Sequence, residues 1–238
     1  MDDLRKKIFS LLDLTSLNAN DNEDTIKDLC LKANHAPIPV AAICIYPKFL
    51  KLAKEYLKCE TTHLATVINF PNGTNELAEV IHEIDFALNE GAQELDVVFP
   101  YQAFLAGEIK TVENFMLAVR QACPNALLKV ILETGAYPTA EKIYLASELC
   151  LAIGADFLKT STGKIAQGAS LEAAEVMLLA IKKQHHSAGL KISGGVRTTE
   201  QVMTYFALIT ELMGQDWISP QNFRIGASEL YKNLFVFT

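Results

Sequence analysis

Long apolar runs, paired cysteines and an excess of positive charge are all missing from this chain of 238 residues. No stretch reaches the roughly 18 uncharged apolar residues that a membrane-spanning helix needs, so no span is expected. The first residues, MDDLRKKIFSLLDL, carry neither a long apolar core nor a small-residue cleavage site. No signal peptide is expected. The five cysteines (Cys30, Cys44, Cys59, Cys123 and Cys150) form no CxxC and are odd in number. A disulfide framework is disfavoured, and a reducing cytoplasm is the expected setting.

Basic residues are few as well. Lys and Arg total 21 against 28 Asp and Glu, a formal net charge of -7, with no basic stripe against that background. Nucleic acid is therefore not an expected partner, although a local basic pocket for a small anion fits such a protein. The five histidines, at 35, 63, 82, 185 and 186, form no HExxH or other ligand spacing. No metal is expected on that count, with Asp/Glu ligation left open. GxSxG and GxxxxGK[ST] are absent, so neither a nucleophile elbow nor a P-loop is present. No linker rich in Pro, Gly and Ser divides the chain, so one domain over 1–238 is expected.

What is present is a rhythm of short apolar runs. They are LDLT (12–15), VAAICIY (40–46), LATVINF (64–70), ELDVVF (94–99), LLKVILE (127–133), DFLKTS (156–161), GLKISGG (189–195) and FRIGAS (223–228). Most are too short for helices and rich in β-branched residues. Their centres lie roughly 25 to 35 residues apart, the length of a strand–helix–strand unit. Helical stripes fill the gaps. One is expected over Asn72 to Asn89, with Leu77, Val80, Ile81, Ile84 and Leu88 on one face. Others open at Thr139, at Ser170 and at Thr198 or Thr199, and stop at glycines such as Gly154 and Gly214. Eight such units without a glycine-rich first turn favour a closed (β/α)₈ barrel over a doubly wound sheet with a run misread.

Polar residues interrupt strands that ought to be apolar on both faces. Asp96, Lys129, Lys159 and Lys191 stand out, with Asp13 and Glu133 less central. A buried lysine is costly unless it is paired or its pKa falls until it is neutral. Lys159 and Lys191 lie on consecutive strands, so each can depress the other, and Asp96 can balance charge and move protons. A neutral lysine is a carbonyl nucleophile. The competing reading is a set of structural salt bridges, or lysines snorkelling from a rim. Glycines and hydroxyls follow strands six to eight: Thr160 to Lys164, Ser193 to Arg197, and Gly226 to Ser228. Loops after the last strands of a barrel often hold phosphate, although tight-turn glycines read the same way. Cys44 can face the pocket or be a small core residue. KKQHH (182–186) reads as a solvated helix end, and Trp217 and Tyr231 read as packing groups.

AAICIYP (41–47), ATVINFPNG (65–73), ELDVVFPY (94–101), LKVILETG (128–135), DFLKTSTGK (156–164) and LKISGGVRT (190–198), taken together, closely resemble deoxyribose-phosphate aldolase. The resemblance runs from LDLTSLN (12–18) to FRIGAS (223–228). It implies a (β/α)₈ class I aldolase that needs no cofactor beyond a covalent Schiff base. The implied reaction cleaves 2-deoxy-D-ribose 5-phosphate reversibly to D-glyceraldehyde 3-phosphate and acetaldehyde. On this chain it implies Lys159 as the Schiff-base lysine, Lys191 as the residue that lowers its pKa, and Asp96 as part of a water-assisted proton relay. Lys129 would sit near that relay, and Asp13 would border the substrate hydroxyls. Phosphate would rest on Gly163, Lys164, Gly194, Gly195, Gly226 and Ser228. The chain departs from the familiar bacterial pattern at Ile192-Ser193, where Pro-Ala is usual. It also ends at Phe235-Val236-Phe237-Thr238, without the terminal tyrosine that assists enamine protonation in some family members. The expected partners are a phosphosugar and a second copy of the chain in a homodimer.

Overall fold

A computed structural model describes residues 2–184 and 187–235. The expectation for KKQHH falls partly, and that for the C-terminal tail almost wholly, outside the described residues. The eight apolar runs each contain a strand. These are β1 (Leu12–Thr15), β2 (Ala42–Ile45), β3 (His63–Ile68), β4 (Glu94–Val98), β5 (Leu127–Ile131), β6 (Phe157–Lys159), β7 (Gly189–Ser193) and β8 (Phe223–Ala227). All neighbours pair in parallel, and β8 closes onto β1, giving the expected closed barrel. Among the described residues no helix is long and apolar enough to cross a membrane.

Helices alternate with the strands. They are α1 (Asp3–Ser10), α2 (Glu23–Asn34), α3 (Leu50–Tyr56), α4 (Leu77–Asn89), α5 (Tyr101–Leu105), α6 (Ile109–Ala122), α7 (Ala140–Ala152), α8 (Leu171–Lys183), α9 (Thr199–Met213) and α10 (Glu229–Asn233). Thr139, Ser170 and Thr198 cap α7, α8 and α9 as their side chains suggest, each accepting the amide three residues on. α4 starts at Leu77 rather than at Asn72. The intervening residues are held as a loop: Asn69 Oδ1 accepts the Asn75 amide, and Glu83 accepts both the Asn69 amide and the Asn75 side chain. Local side-chain bonds of this kind compete with helix.

The strand pleat sorts the residues. Leu14, Ile43, Leu95, Val97, Leu128, Val130, Leu158, Leu190, Ile192 and Ile225 join one large apolar core with the helices. Their strand neighbours point the other way, into the barrel. On one side that interior is small and apolar: Ala42, Cys44, Ala65 and Val67, with Leu17 above them, form a separate cluster. The other side is charged. Small side chains on β2 and β3 leave room for three long lysines from β5, β6 and β7. Trp217 packs against the large core, and Tyr231 lies edge-on to Phe9 while its hydroxyl donates to the Lys32 carbonyl.

Candidate active site

Strand register sets the chemistry. Lys159 pairs with Lys191, Lys129 with Asp96, and Lys191 with Arg224. Neighbouring strands thereby bring their polar interior positions to similar depths. Asp96 is the hub: its Oδ2 accepts Lys159 Nζ at 2.6 Å and Lys191 Nζ at 2.7 Å, and its Oδ1 accepts Lys129 Nζ at 2.8 Å. Asp13 lies 2.5 Å from Lys191 Nζ and 2.8 Å from Arg224 Nη1. Glu94 lies 2.6 Å from Lys129 Nζ and 3.2 Å from Arg224 Nη2, and its Oε1 is 2.7 Å from His63 Nδ1.

Apart from the part-exposed His63 at its edge, the network holds three carboxylates and four lysine or arginine side chains, so one of these bases is in surplus. Lys159 is the least compensated. It pairs with Asp96 alone, whereas Lys129 contacts three carboxylates and Lys191 and Arg224 two each. Burial lowers the Lys159 pKa, and the Lys191 charge adds to this against the opposing pull of Asp96. Burial also works against the charge on Lys191, but Asp13 and Asp96 reverse it and hold that ammonium above its ordinary range. Lys129 is raised by the same balance, through Asp96 and Glu94. With Lys159 neutral, three cations face three anions.

The carboxylates move the other way. Burial would raise each of them, but the lysine charges overcome it, lowering Asp13 and Asp96 and bringing Glu94 down from 4.5 to about 2. A depressed acid stabilises the fold above its unfolded pKa and loses that contribution as pH falls through the folded value. The Glu94 contribution is therefore expected to be complete above about pH 4.5 and to disappear toward pH 2. Urea denaturation between pH 6 and 2 checks this; Glu94→Gln should be less stable at pH 6, with the gap closing on acidification.

Above the network lies a cavity of about 190 Å³. Lys159 reaches it from below, and Gly163, Lys164, Gly194, Gly195, Gly226 and Ser228 all line it, as do Thr15, Asn18 and Arg197. Lys164 Nζ donates to the Leu17 carbonyl across the mouth. Gly194 has a positive φ of 86° and its carbonyl is met by Gly168, where an added Cβ would lie 2.3 Å away. Only bare backbone fits that crossing.

Four of the expected site residues do not line the cavity. Lys191, Asp96, Asp13 and Lys129 have no exposed surface and lie in the ionic layer. Lys129, expected near the relay, contacts Asp96, and Asp13, expected beside the substrate hydroxyls, lies in the same buried layer rather than on the cavity wall. Asp13 is opposite Gly226 on β8, two positions short of the loop residue Ser228, and is engaged by Lys191 and Arg224. Lys129 is opposite Phe157, two positions below Lys159, and is spent on three carboxylates. Cys44 does face the interior, with Sγ 3.8 Å from Asp96 Oδ2, and burial pushes its thiol up to about 11. Glu94 and Arg224 are members of the network that the sequence reading passed over. Their signal was available, since each occupies an inward strand position, Glu94 two residues before Asp96. Among the described residues no group of His, Cys, Asp and Glu is arranged to hold a metal ion.

The sequence profile of DeoC/LacD family aldolases matches residues 7–209. Among solved structures, a Coccidioides immitis protein with the provisional description deoxyribose-phosphate aldolase is 30% identical, over 96% of this chain and 85% of its own, with a TM-score of 0.83. An aldolase designated QR15 is also 30% identical, over 98% and 95% of the two chains, with a TM-score of 0.80. Deoxyribose phosphate aldolase from Aeropyrum pernix, described as a tetramer, is 25% identical over 97% and 90%, with a TM-score of 0.75.

Proposed function

Because this chain belongs to the DeoC/LacD family of aldolases, we propose that it cleaves 2-deoxy-D-ribose 5-phosphate to D-glyceraldehyde 3-phosphate and acetaldehyde through a Schiff base on Lys159. One observation carries the reading. Lys159 is the surplus base of a buried network, and it is the member of that network that lines the cavity.

The neutral amine attacks C1 of the open-chain aldehyde, and loss of water gives an iminium. Its positive charge forms beside Asp96, a carboxylate already in place. Asp96 has no surface of its own, so we assign it a relay through a water that takes the C3 hydroxyl proton. The C2–C3 bond then breaks, its electrons enter the iminium, and glyceraldehyde 3-phosphate departs. Protonation of the two-carbon enamine and hydrolysis release acetaldehyde and restore the amine. The glycines after β6, β7 and β8, with Lys164, Arg197 and Ser228, are assigned to the phosphate, whose binding aligns the scissile bond. Lys191 and Asp13 act beneath, on the charge of Lys159.

Borohydride reduction in the presence of acetaldehyde tests the covalent step. Reductive ethylation confined to Lys159 supports it, and a protein left unmodified under saturating aldehyde counts decisively against it. Lys191→Met tests the electrostatics. With one cation gone, a protonated Lys159 becomes the third charge that three carboxylates require, so its pKa rises. The neutral fraction at pH 7 then falls about tenfold per unit of rise. The acid limb of kcat/KM should move to higher pH; a limb that stays in place would contradict the assignment.

We further propose a cytoplasmic homodimer. The absence of any pairing among the five cysteines supports the compartment, and the tendency of soluble oligomers to be symmetric supports the pairing. Sedimentation showing only a 26.2 kDa species would reject the dimer.

A further inference from the structure

We infer that Glu133, on the loop after β5, is a positioning residue for the anion cradle: through Thr162 it holds the loop after β6 in the shape that receives phosphate. The inference rests on the proposed assignment of that loop to the substrate's phosphate.

Glu133 is left-handed, with φ 59° and ψ 54°. Among the described residues the other non-glycine residue with positive φ is Asn69, and asparagine adopts this region readily. There the side chain also explains the choice, because it donates to the Val98 carbonyl and accepts the Asn75 amide. Glutamate has no such local affinity for the left-handed region. A position selected for its backbone alone would favour glycine. Strain of this sort persists where the side chain is needed.

The side chain has no exposed surface and does not line the cavity. Its Oε1 accepts the Thr162 amide at 3.2 Å, and its Oε2 accepts the Thr162 hydroxyl. That hydroxyl in turn accepts the Lys164 amide at 3.0 Å. A hydroxyl has one proton, so committing it to Glu133 turns a lone pair toward Lys164. The carboxylate thereby fixes both ends of Thr162-Gly163-Lys164, and all three of these residues line the cavity. The loops also touch backbone to backbone. An added Cβ on Gly135 would lie 2.3 Å from the Gln167 carbonyl, and one on Gly168 would lie 2.3 Å from the Gly194 carbonyl. The loop after β5 contributes nothing to the cavity surface, yet it braces the loop after β6, which in turn meets the loop after β7 at Gly194.

The test compares wild type with Glu133→Gln, Thr162→Val and the double variant, using calorimetric binding of inorganic phosphate. Each single change should weaken phosphate roughly tenfold, the scale of a hydrogen bond to a charged group. The double variant should be no weaker than either single, because both break one link. In kinetics, the loss on 2-deoxyribose 5-phosphate should exceed that on unphosphorylated 2-deoxyribose about tenfold and appear in KM. Glu133→Gly relieves the backbone, so it should melt no lower than Glu133→Gln while binding phosphate as poorly. Wild-type phosphate affinity in the variants, additive losses in the double variant, equal losses on the two sugars, or no phosphate binding by wild type would each overturn the inference. Wild type that binds phosphate but leaves deoxyribose 5-phosphate intact would refute the substrate assignment and leave the role of Glu133 standing on the binding data.

Discussion

Lys159→Leu is expected to abolish cleavage of 2-deoxyribose 5-phosphate, with kcat reduced roughly 10⁴-fold or more, while the protein stays folded. The chemical half of this expectation follows from the nucleophile. Without an amine there is no iminium, and without an iminium there is no sink for the electrons of the C2–C3 bond. Losses on this scale are usual when a covalent nucleophile is deleted. The structural half follows from the charge count. Lys159 is the surplus base, and its removal leaves Lys129, Lys191 and Arg224 facing Asp13, Glu94 and Asp96. Asp96 keeps two ammonium partners. Leucine fills most of the vacated volume in apolar form, so urea denaturation should show stability equal to or above wild type. A variant retaining a tenth of wild-type turnover would remove Lys159 from the mechanism. One that is inactive because it unfolds would contradict the charge argument.

Asp96→Asn should be far more damaging to the fold. Asparagine is nearly the same shape but carries no charge, so four basic groups would face two carboxylates. Breaking a buried ion pair by removing one partner typically costs about 3–5 kcal/mol, because the remaining charge stays buried and uncompensated. The protein can reduce that cost by shedding protons from its lysines: the folded pKa of Lys159 drops further below its unfolded value, and those of Lys129 and Lys191 fall from their raised positions. The unfolded chain then binds more protons than the folded one, so stability rises with pH. The deficit of Asp96→Asn relative to wild type should therefore shrink between pH 7 and pH 9. Denaturant midpoints at the two values check the sign, and a deficit that grows with pH would show that Asp96 does not balance the lysines. Activity should fall as well, since the iminium on Lys159 would form beside a neutral amide.

The two variants separate functions that meet at one contact of 2.6 Å. In the proposed mechanism Lys159 supplies reactivity at little structural cost, and Asp96 supplies the charge that offsets three buried amines. Exposed ion pairs contribute little and break cheaply. Here Asp96 and Lys191 have no exposed surface, so neither can fall back on water when its partner is removed.

Much of this was legible along the chain. Each of the eight runs contains a strand because a strand covered on both faces must read as a short apolar block. The ends were less legible: DFLKTS spans six residues, but only Phe157–Lys159 are strand, since Thr160 onward bends toward the β5 and β7 loops. Polar residues alternating with apolar ones marked Asp96, Lys129, Lys159 and Lys191, because a period of two separates the faces of any strand. The same alternation contained Glu94 and Arg224.

The eight strands, the polar positions that interrupt them and a lysine at the end of β6 were determined by the sequence itself, through short apolar runs and the residues that break them. Only the closed barrel decided which charges meet. The three amines on Asp96 lie 33, 63 and 95 residues away in the chain, and no local pattern relates them. Depth was decided there too. Lys159 lines the cavity, whereas Lys191, its register partner of equal length, is engaged by Asp13 as well as Asp96 and lies with Lys129 in the layer that has no exposed surface. The lowered pKa of Lys159 depends on that layer, because the excess of one base over three carboxylates exists only where strands distant in sequence share one interior.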